Sequence, residues 1–109
     1  MTNQKKSSAS KRVPFPREVS FSDKFIKNWE KISRSGKHDM HVLKEAMTLL
    51  FANDAPLPAE WKDHQLKGEL EDFRECHVKG DLLLVYQLRK RSYGEIIVFH
   101  RLGSHSEVL

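Results

Sequence analysis

The chain has 109 residues, 39% hydrophobic and 31% charged, which is room for one domain with one modest core. Its net charge of +4 does not describe a generally basic nucleic-acid-binding body. Within residues 1–20, Lys5, Lys6, Lys11, Arg12 and Arg17 against Glu18 account for the whole excess, and residues 21–109 are neutral. A single cysteine, Cys76, excludes an internal disulfide framework and fits a reducing, cytoplasmic setting. No apolar run approaches the ~20 residues of a bilayer span, so no membrane partner is expected, and the basic N-terminus lacks the apolar core of a secretory signal.

Residues 1–16 are rich in Ser, Lys and Pro and are expected to form a flexible basic tail, with the folded domain spanning residues 17–109. Glu18 to Phe21 alternates polar and apolar and predicts a short first strand. Ser22 is placed to cap a helix whose apolar stripe is Phe25, Ile26, Trp29 and Ile32, and Gly36 is placed to stop it. A second helix from about Asp39 carries Val42, Leu43, Ala46, Met47, Leu50 and Phe51 on one face. Pro56 and Pro58 block its continuation, and Trp61 to His64 lies in the connection to a sheet. Three strands are predicted at about Asp72–Val78, Leu82–Arg89 and Glu95–Leu102, joined by turns at Lys79–Asp81 and Lys90–Gly94. The order predicts an α+β domain with helices packed on a small antiparallel β-sheet.

Imidazoles and one carboxylate punctuate the C-terminal half: His64, His77, Asp81 and His105. Imidazole gives and takes protons near neutral pH better than any other side chain. Cutting RNA without a metal needs a base for the ribose 2′-hydroxyl, an acid for the departing 5′-oxygen and a cation for the phosphate. Those four residues offer the first two, and Arg74 and Arg101 offer the third. Strand alternation puts Phe73, Glu75 and His77 on one face and Arg74, Cys76 and Val78 on the other, so Arg74 need not join the histidines. His100 shares parity with Ile96, Val98 and Leu102 and is expected to pack within the sheet, while His38 and His41 are expected at the surface or as helix caps. The chain has no His-Glu-x-x-His or Cys-x-x-Cys pattern, so neither a metal nor another cofactor is expected. Cys76 shares parity with Val78 and reads as a buried thiol, not a nucleophile.

At these residues the chain resembles the YafQ branch of the RelE-type bacterial toxins. The likeness runs from about Asp39 to Leu109 through Met47-Thr-Leu-Leu50, Leu57-Pro58, Lys62-Asp-His64, Leu66-Lys-Gly68, Phe73-Arg-Glu-Cys-His-Val78, Asp81, Leu84-Val-Tyr86 and Arg101-Leu-Gly-Ser-His105. The resemblance implies a RelE-like toxin of a type II toxin–antitoxin system that cuts messenger RNA in the ribosomal A site. It implies that His64, His77, Asp81 and His105 are the acid–base group, with His105 as general acid and Asp81 or His77 as base. Arg101 would contact the scissile phosphate, and Glu75 and Leu109 would be further substrate contacts; Arg74, a substrate contact on the chemistry above, is otherwise structural. Leu109 stands where relatives commonly carry an aromatic that orients the substrate base. The implied partners are the ribosome, its message, and a cognate antitoxin that wraps the toxin in a hetero-oligomer. The departure at Leu109 also motivates an alternative, a non-cleaving toxin-like module that serves as antitoxin partner or co-repressor.

Overall fold

The structure, a computed structural model, describes residues 16–52 and 57–108. The expected basic tail lies almost wholly outside the described residues, as does Leu109. Strand β1 (Glu18–Phe21) leads into helix α1 (Asp23–Ser35) and helix α2 (Met40–Ala52). Two short 3₁₀ turns flank strand β2 (His64–Gln65), and strands β3 (Arg74–Lys79), β4 (Leu82–Arg91) and β5 (Gly94–Gly103) follow. A last short helix, α3 (His105–Val108), closes the described chain. No helix among the described residues is long and apolar enough to cross a membrane.

The five strands form one sheet in the order β1-β5-β4-β3-β2. Expected as antiparallel, it is mixed. Successive strands β2 to β5 pair antiparallel, but β1 lies parallel to β5. β1 and β5, the first and last strands of the chain, are joined through both helices and three intervening strands, so no tight turn forces them to run antiparallel. Two elements escaped the sequence reading: β2 and α3, two and four residues long, too short to establish a period.

The helices cover one face of the sheet. Phe25, Ile32, Leu43, Ala46 and Leu50 pack there against Cys76, Leu84, Tyr86, Ile97, Phe99 and Leu102. The opposite face carries a smaller cluster of Leu83, Val85 and Val108, with Leu66 and Phe73 against it. This second face is otherwise open. It holds the site described below.

A β-bulge in β5 decides which residues reach that face. Tyr86 pairs with Phe99, but the next residue back, Val85, pairs with Arg101, so His100 is the extra residue. Alternation is therefore interrupted at His100. Ile97, Phe99 and Leu102 face the helices, and His100 does not share a face with Leu102 as its parity predicted. His100 is half-buried and stacks on Phe73 of the open-face cluster, with ring centroids 4.6 Å apart.

Helix α1 holds the bulge from the side. The Ser22 hydroxyl accepts from the Phe25 N–H at 3.0 Å and donates to the His100 carbonyl at 2.7 Å. The Leu102 N–H donates to Asn28 Oδ1 at 3.0 Å. β1 ends its pairing at Phe99, and side chains of α1 take over the exposed backbone of β5 beyond it. At the other end of α1, Gly36 takes a left-handed φ of 67°, which glycine adopts without steric cost. Ser22 is thus cap and clamp together. Ser22→Ala is expected to cost about 1–2 kcal/mol, through the lost cap and the unpaired His100 carbonyl. Urea denaturation should show a lower midpoint with an unchanged slope.

Candidate functional site

The open face is ordered by register. His64 of β2 pairs with Glu75 of β3, Glu75 with Val85 of β4, and Val85 with Arg101 of β5. These four residues make one row across the sheet. The neighbouring row is His77, Leu83 and Gly103. At ~4.8 Å per strand, Arg101 lies two strands, about 10 Å of backbone, from Glu75.

Glu75 is the centre of the histidine side of this array. Its side chain is only 5% exposed, and Oε1 sits 3.5 Å from His64 Nε2 and 3.8 Å from His77 Nε2. The two imidazole rings are 6.3 Å apart. Nδ1 of His64 lies 2.8 Å from the Lys62 carbonyl, so both nitrogens of that ring face oxygen. A neutral imidazole has one N–H and can donate to only one of them. The other carboxylate oxygen, Glu75 Oε2, is buried with no partner. A buried carboxylate oxygen left unpaired is costly unless something supplies a donor.

Arg101 closes the other end of the row. It donates through Nη2 to the Glu107 carbonyl at 2.7 Å, and its Nε is buried without a partner. The guanidinium thereby ties α3 to β5 with donor capacity left over. Gly103 makes the tight return possible. A Cβ there would meet Glu107 Oε1 at 2.9 Å and Val108 Cγ1 at 3.3 Å. The Ser104 N–H donates to Glu107 Oε1 at 2.8 Å, in the manner of a capping box. That backbone hydrogen bond, then the Ser104 side chain, hold the Glu107 carboxyl below its usual range.

The remaining predicted residues fall in three places. His105 is exposed at the start of α3. Asp81 is exposed in the β3–β4 turn and lines, with Ser104, Glu107 and His38, a cleft beside the start of α3. Asp81 therefore belongs topologically with His105, at the sheet end beyond the His77–Leu83–Gly103 row. Arg74 lies opposite Tyr86 on the helix side, where its Nη2 donates to Asp63 Oδ2 at 3.0 Å. The Tyr86 hydroxyl donates to the other oxygen of Asp63. Burial, then the hydrogen bond to Asp63, push the Tyr86 phenol up, so it remains a donor. Arg74, offered with Arg101 as a cation for the substrate phosphate or else as a structural residue, is engaged in an ion pair on the face away from the histidines. Asp63, adjacent to His64 in sequence, carries no signal that would have predicted this role.

Among the described residues no group of three or more His, Cys, Asp or Glu side chains is arranged to hold a metal ion. What the arrangement supplies is two imidazoles on a buried carboxylate, an arginine two strands away, and a third imidazole and a second carboxylate at the end of the sheet.

A family model described as the bacterial toxin of the type II toxin–antitoxin system, YafQ, matches residues 17–109. The chain belongs to the YafQ toxin family. It is 37% identical over 90 residues to the mRNA interferase toxin YafQ of Escherichia coli, covering 83% of this chain and 92% of that protein. Its fold matches the toxin in the crystal structure of the E. coli DinJ–YafQ complex with a TM-score of 0.73 and 35% identity, over 85% of this chain and 98% of that one. It also matches a metal-bound toxin from Helicobacter pylori, with a TM-score of 0.74 and 43% identity over 85% and 99% of the two chains. The RelE-like α+β architecture of the toxin is shared with these relatives.

Cys76 of the toxin is fully buried beside this site. Burial first, then the nearby Asp63 and Glu75 charges, push its thiol up to about 12. The thiolate is the reactive form, so Cys76 is expected to resist iodoacetamide in the folded toxin up to about pH 9 and to react fully in urea. Mass spectrometry of the alkylated protein at each pH checks this.

Proposed function

We propose that the toxin is an mRNA interferase, an endoribonuclease that cuts messages on translating ribosomes in the cytoplasm by metal-free acid–base chemistry. A cognate antitoxin holds it in a hetero-oligomer, as DinJ accompanies YafQ in E. coli. The observation that carries the reading is the row His64–Glu75–Val85–Arg101, with His77 beside it, on the one open face of a YafQ-family fold.

Cleavage requires the ribose 2′-oxygen to attack phosphorus while the bond from phosphorus to the 5′-oxygen breaks. His77, neutral, takes the 2′-proton. The Glu75 carboxylate, 3.8 Å from its Nε2, stabilises the imidazolium that results. His105 delivers a proton to the departing 5′-oxygen, with Asp81 at the same end of the sheet. Arg101 meets the charge that accumulates on the non-bridging oxygens. The products are a 2′,3′-cyclic phosphate and a 5′-hydroxyl. His64 keeps Glu75 in place from the opposite side. Every proton that moves has a donor and an acceptor in the chain. The near-neutral charge of residues 21–109 is compatible with this, because the ribosome presents the message.

The test is cleavage of a defined message in a translating extract, by toxin freed of metal with a chelator that is then removed. Wild type is expected to cut. His105→Ala is expected to lose activity by at least about 100-fold, the usual contribution of a positioned acid. Intact messages with folded wild type would refute the nuclease reading and leave the non-cleaving module. Activity that returns only on adding a transition metal would refute the metal-free chemistry.

A further inference from the structure

The open face does not end at the catalytic row. Along β4 the residues that share the face of Val85 are Gln87, Arg89 and Arg91, since Tyr86 and Leu88 pack toward the helices. β3 pairs with β4 only as far as Tyr86, and β1 pairs with β5 only from Ile96 onward. The β4–β5 ribbon therefore projects past its neighbours, with Arg89, Lys90, Arg91, Ser92 and Tyr93 all exposed. At ~3.4 Å per residue, Arg89 and Arg91 lie about 14 and 20 Å along the strand from Val85.

Between that basic ribbon and Arg101 lies the Phe73–His100 stack. Its rings are inclined by 30°, and it reaches from the residue just before β3 to β5 across the intervening strand β4. Both residues are half-buried, so each ring leaves part of its surface open. Burial, then the positive charges of Arg101 and Lys24, hold the His100 imidazole below its ordinary range. Near neutral pH it is an uncharged aromatic ring.

Aromatic rings beside a line of cations are the two components of single-stranded RNA recognition. Bases stack on the rings, and the backbone follows the charges. We infer that the open face is an RNA track: Phe73–His100 stacks a base flanking the cleaved bond, and Arg89 and Arg91 hold backbone phosphates further along the strand. The track rests on the reading of the toxin as an RNA-cutting enzyme and adds the positioning of its substrate. Its cations are available to a phosphate. Among the described residues Arg89 Nε is bonded only to Gln87 on the same strand, and Arg91 Nη1 donates to the exposed Tyr93 hydroxyl at 3.4 Å and faces Glu18 at 3.7 Å in a solvent-exposed pair of little strength.

The experiment uses the full chain carrying His105→Ala, so that RNA survives, and a ten-nucleotide single-stranded RNA read by fluorescence anisotropy at several salt concentrations. His100→Ala in that background is expected to weaken binding roughly tenfold, the usual effect of losing one stacked base, and His100→Phe to retain it. Arg89→Ala together with Arg91→Ala is expected to lower the slope of log affinity against log salt by about 1.4, as two lost phosphate contacts require. His100→Ala and the double arginine variant binding like the parent, or no binding by the parent up to about millimolar protein, would overturn the track. The cleavage reading fails separately, through wild type that leaves messages intact in the translating extract.

Discussion

The bulge at His100 is the constraint on which the rest of this toxin depends. Without it, β5 would place Arg101 on the same side as Phe99 and Ile97, against the helices, and Leu102 would leave the core. The extra residue reverses the alternation once. Leu102 stays buried under α1, while Arg101 comes into line with Val85, Glu75 and His64 on the open face. The irregular backbone is held by the Ser22 hydroxyl and the Asn28 amide, both from α1. The helix layer therefore sets the chemistry of the face it does not cover.

Polar groups in the sheet are divided between its two sides. On the helix side, Arg74 and Tyr86 converge on Asp63, and each carboxylate oxygen has a donor. This is a satisfied network that fixes the strand ends near β2. On the open side, Glu75 has an oxygen with no donor and Arg101 has a buried N–H with no acceptor. Completed hydrogen bonding marks the structural group. The open face is the one that keeps hydrogen-bonding capacity to spare among its buried groups. The alternation of Arg74 and Glu75 along β3 puts one residue in each, although they are neighbours in sequence.

The short C-terminal helix shows how the position of a candidate site residue depends on close packing. Gly103 allows α3 to fold against the end of β5, Glu107 ties back to Ser104, and Val108 joins the small open-face cluster. His105 is carried on that return, so its position follows from the fit of three residues that do no chemistry. The Arg101–Glu107 hydrogen bond then links the open-face arginine to the same turn.

Much of this was legible in the sequence because it depends on local pattern. Hydrophobic periodicity and capping residues located α1, α2 and the long strands. Short motifs identified the YafQ likeness and nominated His64, His77, Asp81, Arg101 and His105 as candidates. Strand parity separated Arg74 from Glu75. Three things were decided only in three dimensions. The parallel pairing of β1 with β5 joins the first and last strands of the chain, about 78 residues apart, which no local pattern encodes. The partners of Glu75 come from β2 and from the same strand, and β2 exists only because β3 offers it an edge. The bulge brought Arg101 to the open face beside His100 and returned Leu102 to the core, because a single extra residue reverses strand parity while leaving composition and spacing unchanged. Which side chains carry the functional groups was written in the chain; which of them share a face was settled by register, a property of paired strands and not of any one of them.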